Sequence, residues 1–144
     1  MRSRSWRILL IDDNRHGLVA RRAVLEQQGH KVTTASSGQD GLGRFQEEEF
    51  DLVVTDYRMP GITGQQVIRK IRQEKPKMPI VLLSGFVEAL GLDEESTGAD
   101  IVLSKGPGEV QELLRAINRL TKRRPTPKPP GSVKAARSRK SKTG

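Results

Sequence analysis

Residues 50–64, FDLVVTDYRMPGITG, decide the fold. Residues 51–55 centre on Leu52, Val53 and Val54, and such a run is expected of a strand covered on both faces in the middle of a parallel sheet. Asp56 follows at its carboxyl end, and the Met59-Pro60-Gly61 turn keeps the chain in a loop there. In open α/β sheets, ligands bind in the crevice beyond the strand ends. A single aspartate after a strand is most often a turn or cap residue, so the meaning of Asp56 depends on what the other strands deliver beside it.

Outward from that stretch, strand and helix patterns alternate. Arg7–Ile11 reads as a short strand followed by Asp12, Asp13 and Asn14. A helix is expected over residues 16–28, with Leu18, Val19, Ala23, Val24 and Leu25 as its apolar stripe and Gly29 ending it. Lys31–Ala35 alternates as a second strand, and residues 39–48 form a second helix with Leu42 and Phe45 inward. After the central strand, Val67, Ile68 and Ile71 mark a helix over 65–73 that Pro76 stops. Residues 80–83 make a buried strand ending in Ser84 and Gly85. Residues 86–97 read as weak structure, because Gly91 and the acidic Asp93, Glu94 and Glu95 interrupt the apolar Val87, Ala89, Leu90 and Leu92. Residues 101–103 form a fifth strand ending in Ser104 and Lys105. An amphipathic helix over 109–120 carries Val110, Leu113, Leu114, Ile117 and Leu120 on one stripe.

Strands alternating with helices imply parallel pairing with right-handed crossovers, hence a doubly wound three-layer α/β sandwich. At this size the flavodoxin-like strand order 2-1-3-4-5 is the natural choice, with its switch point between the first and third strands. Those strands end in Asp12, Asp13 and Asp56. The same rim receives Ser84 and Lys105 from the fourth and fifth strands.

Three carboxylates in one crevice need a cation or a raised pKa at neutral pH. Oxygen donors with no His or Cys beside them suit a hard cation, and Mg2+ fits because it keeps waters and takes few carboxylates plus phosphate oxygens. Carboxylates, Mg2+, a lysine and a hydroxyl are arranged for phosphoryl chemistry. Asp56 is the best nucleophile, Asp12 and Asp13 are placed to hold the metal, Lys105 adds positive charge, and Ser84 offers a hydrogen bond to a phosphoryl group once attached. Taken singly, each has a plainer reading: N-caps for Asp12 and Asp13, a turn residue for Ser84, a solvated lysine for Lys105. Five such residues at the strand ends of one sheet argue for a site.

Composition bounds the alternatives. The 144 residues suit one domain, and 3% aromatic content makes the core aliphatic. With no cysteine, disulfides and thiolate metal sites are excluded, and a reducing cytoplasm suits the chain. No apolar run approaches the roughly 18 residues needed for a membrane-spanning helix. The net charge of +9 is uneven: residues 1–120 hold 17 basic and 17 acidic residues, whereas 121–144 hold nine basic residues and no acid. Residues 122–144 are therefore expected to be a disordered basic tail. They serve as a solubilising tail or linker stub, or draw the chain without sequence specificity toward nucleic acid or an anionic surface.

The blocks ILLIDDN, FDLVVTDYRMPGITG, PIVLLSG and GADIVLSKG, in that order and spacing, resemble the receiver domain of two-component response regulators. The resemblance covers about residues 6–121 and implies a receiver domain over 1–121. It implies Asp56 as phosphoacceptor, Asp12 and Asp13 as the acidic pair for Mg2+, the backbone carbonyl of Arg58 as a further ligand, Ser84 as the switch hydroxyl and Lys105 as the active-site lysine. The phosphoryl donor it implies is a histidine kinase or histidine phosphotransfer protein. Arg58 and Phe86 would flank the phosphoryl site. Two positions depart from the family pattern: Val102 stands where Tyr or Phe is usual, and Gly106 separates Lys105 from Pro107.

The expected protein is a single-domain phosphoacceptor whose state an output protein reads, with no enzymatic activity beyond accepting the phosphoryl group and losing it slowly. The binding-module alternative is a phosphorylation-independent pseudo-receiver acting through its surface and basic tail, for which Val102 speaks. An aspartyl-phosphate phosphohydrolase typically needs an Asp-x-Asp pair. Asn14 and Arg58 stand two residues after Asp12 and Asp56 instead.

Overall fold

A computed structural model describes residues 5–122. β1 (Arg7–Ile11), β2 (Lys31–Ala35), β3 (Leu52–Asp56), β4 (Ile80–Ser84) and β5 (Ile101–Ser104) form one sheet in the order β2-β1-β3-β4-β5, parallel throughout. Every residue of β3 and β4 is buried, as the apolar runs require of strands with a layer on each face. β2 and β5, the edges, are only partly covered. This is the doubly wound flavodoxin-like arrangement expected from the alternating pattern.

Successive strand residues point to opposite faces, so the apolar side chains divide into two cores. Ile8, Leu10, Val54, Val81 and Leu83 meet α1 (Arg15–Gln27) and α6 (Glu109–Lys122) on one side. Leu9, Ile11, Val53 and Leu82 meet α2 (Gly38–Glu47) and α3 (Gly64–Glu74) on the other. Trp6, buried just before β1, joins the first core.

α1, α2 and α3 each start one residue earlier than the apolar stripes suggest, because polar caps set them, whereas α6 starts at Glu109 as expected. The Asn14 side chain accepts the Gly17 N–H at 2.9 Å, and Ser37 accepts that of Asp40 at 3.0 Å. Thr63 and Gln66 form a reciprocal capping box at the start of α3. Helix α6 runs on to Lys122, the first residue of the expected tail, and the rest of that tail lies outside the described residues.

The expected α1 stripe needs correction. Val19 is 63% exposed, and Ala23 is exposed as well. The inward positions at helical spacing are Leu18, Arg21 and Leu25, so an arginine occupies a place in the buried stripe. The weak segment between β4 and β5 resolves into single turns, α4 (Val87–Leu90) and α5 (Glu94–Thr97), with Gly91 at φ 63° ending the first.

Candidate functional site

The site gathers at the carboxyl ends of β1, β3, β4 and β5. Asp12 leaves β1 with its N–H donated to the Ala35 carbonyl of β2 at 3.1 Å, and its side chain is 1% exposed. Asp56 is the last residue of β3 and 6% exposed. Its loop is closed by the Gly64 N–H bonding the Tyr57 carbonyl at 2.7 Å. A Cβ at Gly64 would lie 2.2 Å from the Asp56 carbonyl oxygen, so only glycine lets the loop return this close.

Carboxylate oxygens of Asp12, Asp13 and Asp56 lie within 4.8 Å of one another, with Asp13 exposed and the other two buried. Lys105, just after β5, reaches over them: its Nζ is 3.0 Å from Asp56 Oδ1 and 3.3 Å from Asp12 Oδ2. Ser84, 1% exposed, ends β4 one residue beyond Leu83, the register partner of Asp56. Its hydroxyl accepts the Phe86 N–H at 2.9 Å. The Arg58 guanidinium lies over the Phe86 ring, 4.5 Å from its centre, at the exposed side of the site. Val102 is half-buried in the second core, and its N–H donates to Glu94 at 3.0 Å.

The two buried carboxyls differ electrostatically. Burial, aided by the charge of Asp12, pushes Asp56 up to about 6, and Lys105 offsets only part of this. Burial pushes Asp12 up as well, yet the Asn14 N–H and the positive charges of Lys105 and Arg21 outweigh it and hold Asp12 below its ordinary value.

Arg21 and Glu109 were not singled out from the sequence. Arg21, 6% exposed, places its Nη1 2.6 Å from Asp12 Oδ2 and its Nη2 2.6 Å from Glu109 Oε2. The signal was present as an arginine in step with Leu18 and Leu25, where a buried helical position calls for an apolar side chain. Glu109 opens α6 and also accepts the Gly106 N–H at 3.1 Å.

A family model described as the response regulator receiver domain matches residues 8–118. The chain belongs to this family. The receiver is 38% identical over 124 residues to the transcriptional regulatory protein AfsQ1 of Streptomyces coelicolor, covering 83% of this chain and 54% of the relative. It is 34% identical over 140 residues to the virulence sensor protein BvgS of Bordetella pertussis, covering 92% of this chain and 11% of that protein. The chain thus spans between a tenth and about half the length of these relatives. Among solved structures, a receiver domain from Clostridium thermocellum is 36% identical with a TM-score of 0.73, covering 81% of this chain and 94% of that one. The response regulator TrrA of Thermotoga maritima, solved with Mg(2+)-BeF, is 31% identical with a TM-score of 0.71, covering 79% of this chain and 97% of that one. The family is one of signalling phosphoacceptor domains rather than of enzymes acting on free substrates. Among the described residues, no helix is long and apolar enough to cross a membrane.

Proposed function

We propose that Asp56 accepts a phosphoryl group from a histidine kinase or histidine phosphotransfer protein and that the phosphorylated receiver is read by an output protein. The observation that carries this reading is the meeting of Asp12, Asp13 and Asp56 within 4.8 Å under the Lys105 ammonium. Three hard oxygen donors and no nitrogen or sulfur ligand fit Mg2+, held by the Asp12, Asp13 and Asp56 carboxylates and the Arg58 carbonyl. Bound there, Mg2+ would supply charge neutralisation for the transferring phosphoryl oxygens.

The chain's own residues do the rest. A carboxylate oxygen of Asp56 attacks phosphorus in line; the bond to the donor nitrogen breaks, and its electron pair leaves with the imidazole. Lys105, already 3.0 Å from Asp56, neutralises charge as it builds on the phosphoryl oxygens. The Ser84 hydroxyl, one residue along the adjacent strand, hydrogen-bonds the attached group and carries its presence toward α4. A groove lined by Asp13, Arg15, Arg22 and Ser36 opens beside one of the three carboxylates, and on this reading the donor docks there.

The test is intact mass after incubation with a small-molecule phosphodonor. Gain of one phosphoryl group, dependent on Mg2+ and lost in Asp56→Asn, supports the reading. No adduct in the wild type removes it and favours the phosphorylation-independent alternative that Val102 suggests.

A further inference from the structure

Arg21 is a cation buried among the carboxylates of the site, and three features show that the fold is built around it. Both oxygens of Asp12 are engaged: Oδ1 by the Asn14 N–H at 2.9 Å, and Oδ2 by Arg21 at 2.6 Å and Lys105 at 3.3 Å. The remaining guanidinium nitrogens bind Glu109 Oε2, Nε at 2.7 Å and Nη2 at 2.6 Å, so the buried charge is shared between two carboxylates. One turn before Arg21 stands Gly17, where a Cβ would lie 2.7 Å from Arg21 Nη1 and 3.4 Å from Asp12 Oδ2. A glycine within a helix weakens it, and here the missing side chain is the space the guanidinium fills.

We propose that Arg21 is a resident cation of the acidic pocket, holding Asp12 until a divalent ion binds there and then passing to Glu109. The inference rests on the reading of Asp12 as a metal ligand. Asp12 Oδ2 already carries two cations, Arg21 and Lys105, so a divalent ion at Asp12 adds a third and either displaces the nearer, Arg21, or binds weakly. Glu109 already holds two of the three guanidinium nitrogens, which gives the displaced charge a partner without movement into water. Because Glu109 is the first residue of α6, metal occupancy is then felt at the start of that helix. Arg21 is a positioning residue: it acts through Asp12 and Glu109 and touches no reacting group.

Calorimetric titration of Mg2+ at pH 8 into the full chain tests this with four variants. Arg21→Leu, apolar at an inward helical position, should tighten Mg2+ about tenfold or more, because a positive charge beside the ion is gone. Gly17→Ala, which crowds the guanidinium and leaves its charge in place, should tighten it less. Glu109→Gln should weaken Mg2+ severalfold by leaving Arg21 wholly on Asp12, and should do so only while Arg21 is present; the Arg21→Leu, Glu109→Gln double variant measures that. Unchanged or weaker binding in Arg21→Leu overturns the proposal, and an equal Glu109→Gln effect in both backgrounds overturns the transfer to α6. If the wild type and every variant bind no Mg2+, the metal reading of Asp12 itself falls. Binding that tightens only in Arg21→Leu and Gly17→Ala supports competition at Asp12.

Discussion

The loop after β3 and the segment between β4 and β5 sit side by side on one rim and are built in opposite ways. The first is closed by a backbone bond across a glycine that admits no side chain, and its acidic residue is buried and bonded by Lys105 and the Tyr57 N–H. The second consists of single helical turns, with Phe86 43% and Leu90 44% exposed and no buried residue in α4. Chemistry needs groups held within fractions of an ångström, which only dense bonding secures. A segment that must change when the site changes needs the reverse, few buried contacts and little stability of its own.

Substitutions on the two sides should therefore differ in size. The largest effect is expected at Gly64. Gly64→Ala forces a Cβ to 2.2 Å from the Asp56 carbonyl, and the overpacking should cost about 3 kcal/mol or more in urea unfolding. Gly91→Ala, on the other side, meets nothing within 4 Å and should cost only about 1 kcal/mol, from its φ of 63°. Similar losses at both positions would erase the contrast.

Next comes Asp56 itself. Its carboxyl is pushed from 3.8 to about 6 on folding, mainly by burial, so the ionised form is destabilising in the folded protein. The penalty is absent below pH 3.8, grows as pH rises toward about 6, and is complete above that. In chelator-containing buffer, Asp56→Asn should accordingly be more stable than the wild type at pH 8 by on the order of 2 kcal/mol, with the gap closing as pH falls below about 6. Urea midpoints at pH 8 and pH 5 measure it. A gap independent of pH would mean that Lys105 fully compensates the burial.

Much of this contrast was legible in the sequence. The continuous apolar runs of β3 and β4 specify central strands, and the strand order follows from alternation and chain length. The carboxylates, Ser84 and Lys105 could be placed on one rim because topology alone carries strand ends there. Gly91 and the acidic run after it announced the weak segment. Arg21 was not legible, because a charged residue in an apolar stripe reads as an interruption until its partners are known. Those partners are nine residues away for Asp12 and 88 for Glu109. Val19 and Ala23 belong with this: Leu18 and Leu25 do face inward, but the inward position between them is held by Arg21, and the two apolar residues beside that line face out.

Arg72 bears on where the weak segment ends. From α3 it bonds the carbonyls of Pro76, Met78 and Gly98 and the Asp100 carboxylate, tying the residues before β4 and β5 together. Arg72→Ala strips these partners from a side chain that is 23% exposed and should cost about 1–2 kcal/mol in urea unfolding. Such a loss would place the boundary of the loosely held region before Gly98. A negligible loss would extend that region to β5.

The smallest effect is expected at Leu90. Its side chain is 44% exposed at the end of a single turn that buries nothing, so Leu90→Ser removes little apolar contact and should change stability by less than about 0.5 kcal/mol. Phosphoryl uptake at Asp56, measured by intact mass, should be unchanged, since no bond links Leu90 to the carboxylates. A small stability change with intact uptake would show that this turn is free to be remodelled without disturbing the chemistry beside it. A loss above about 1 kcal/mol would mean that α4 packs as firmly as the β3 loop, and the division between a rigid loop and a yielding neighbour would no longer hold.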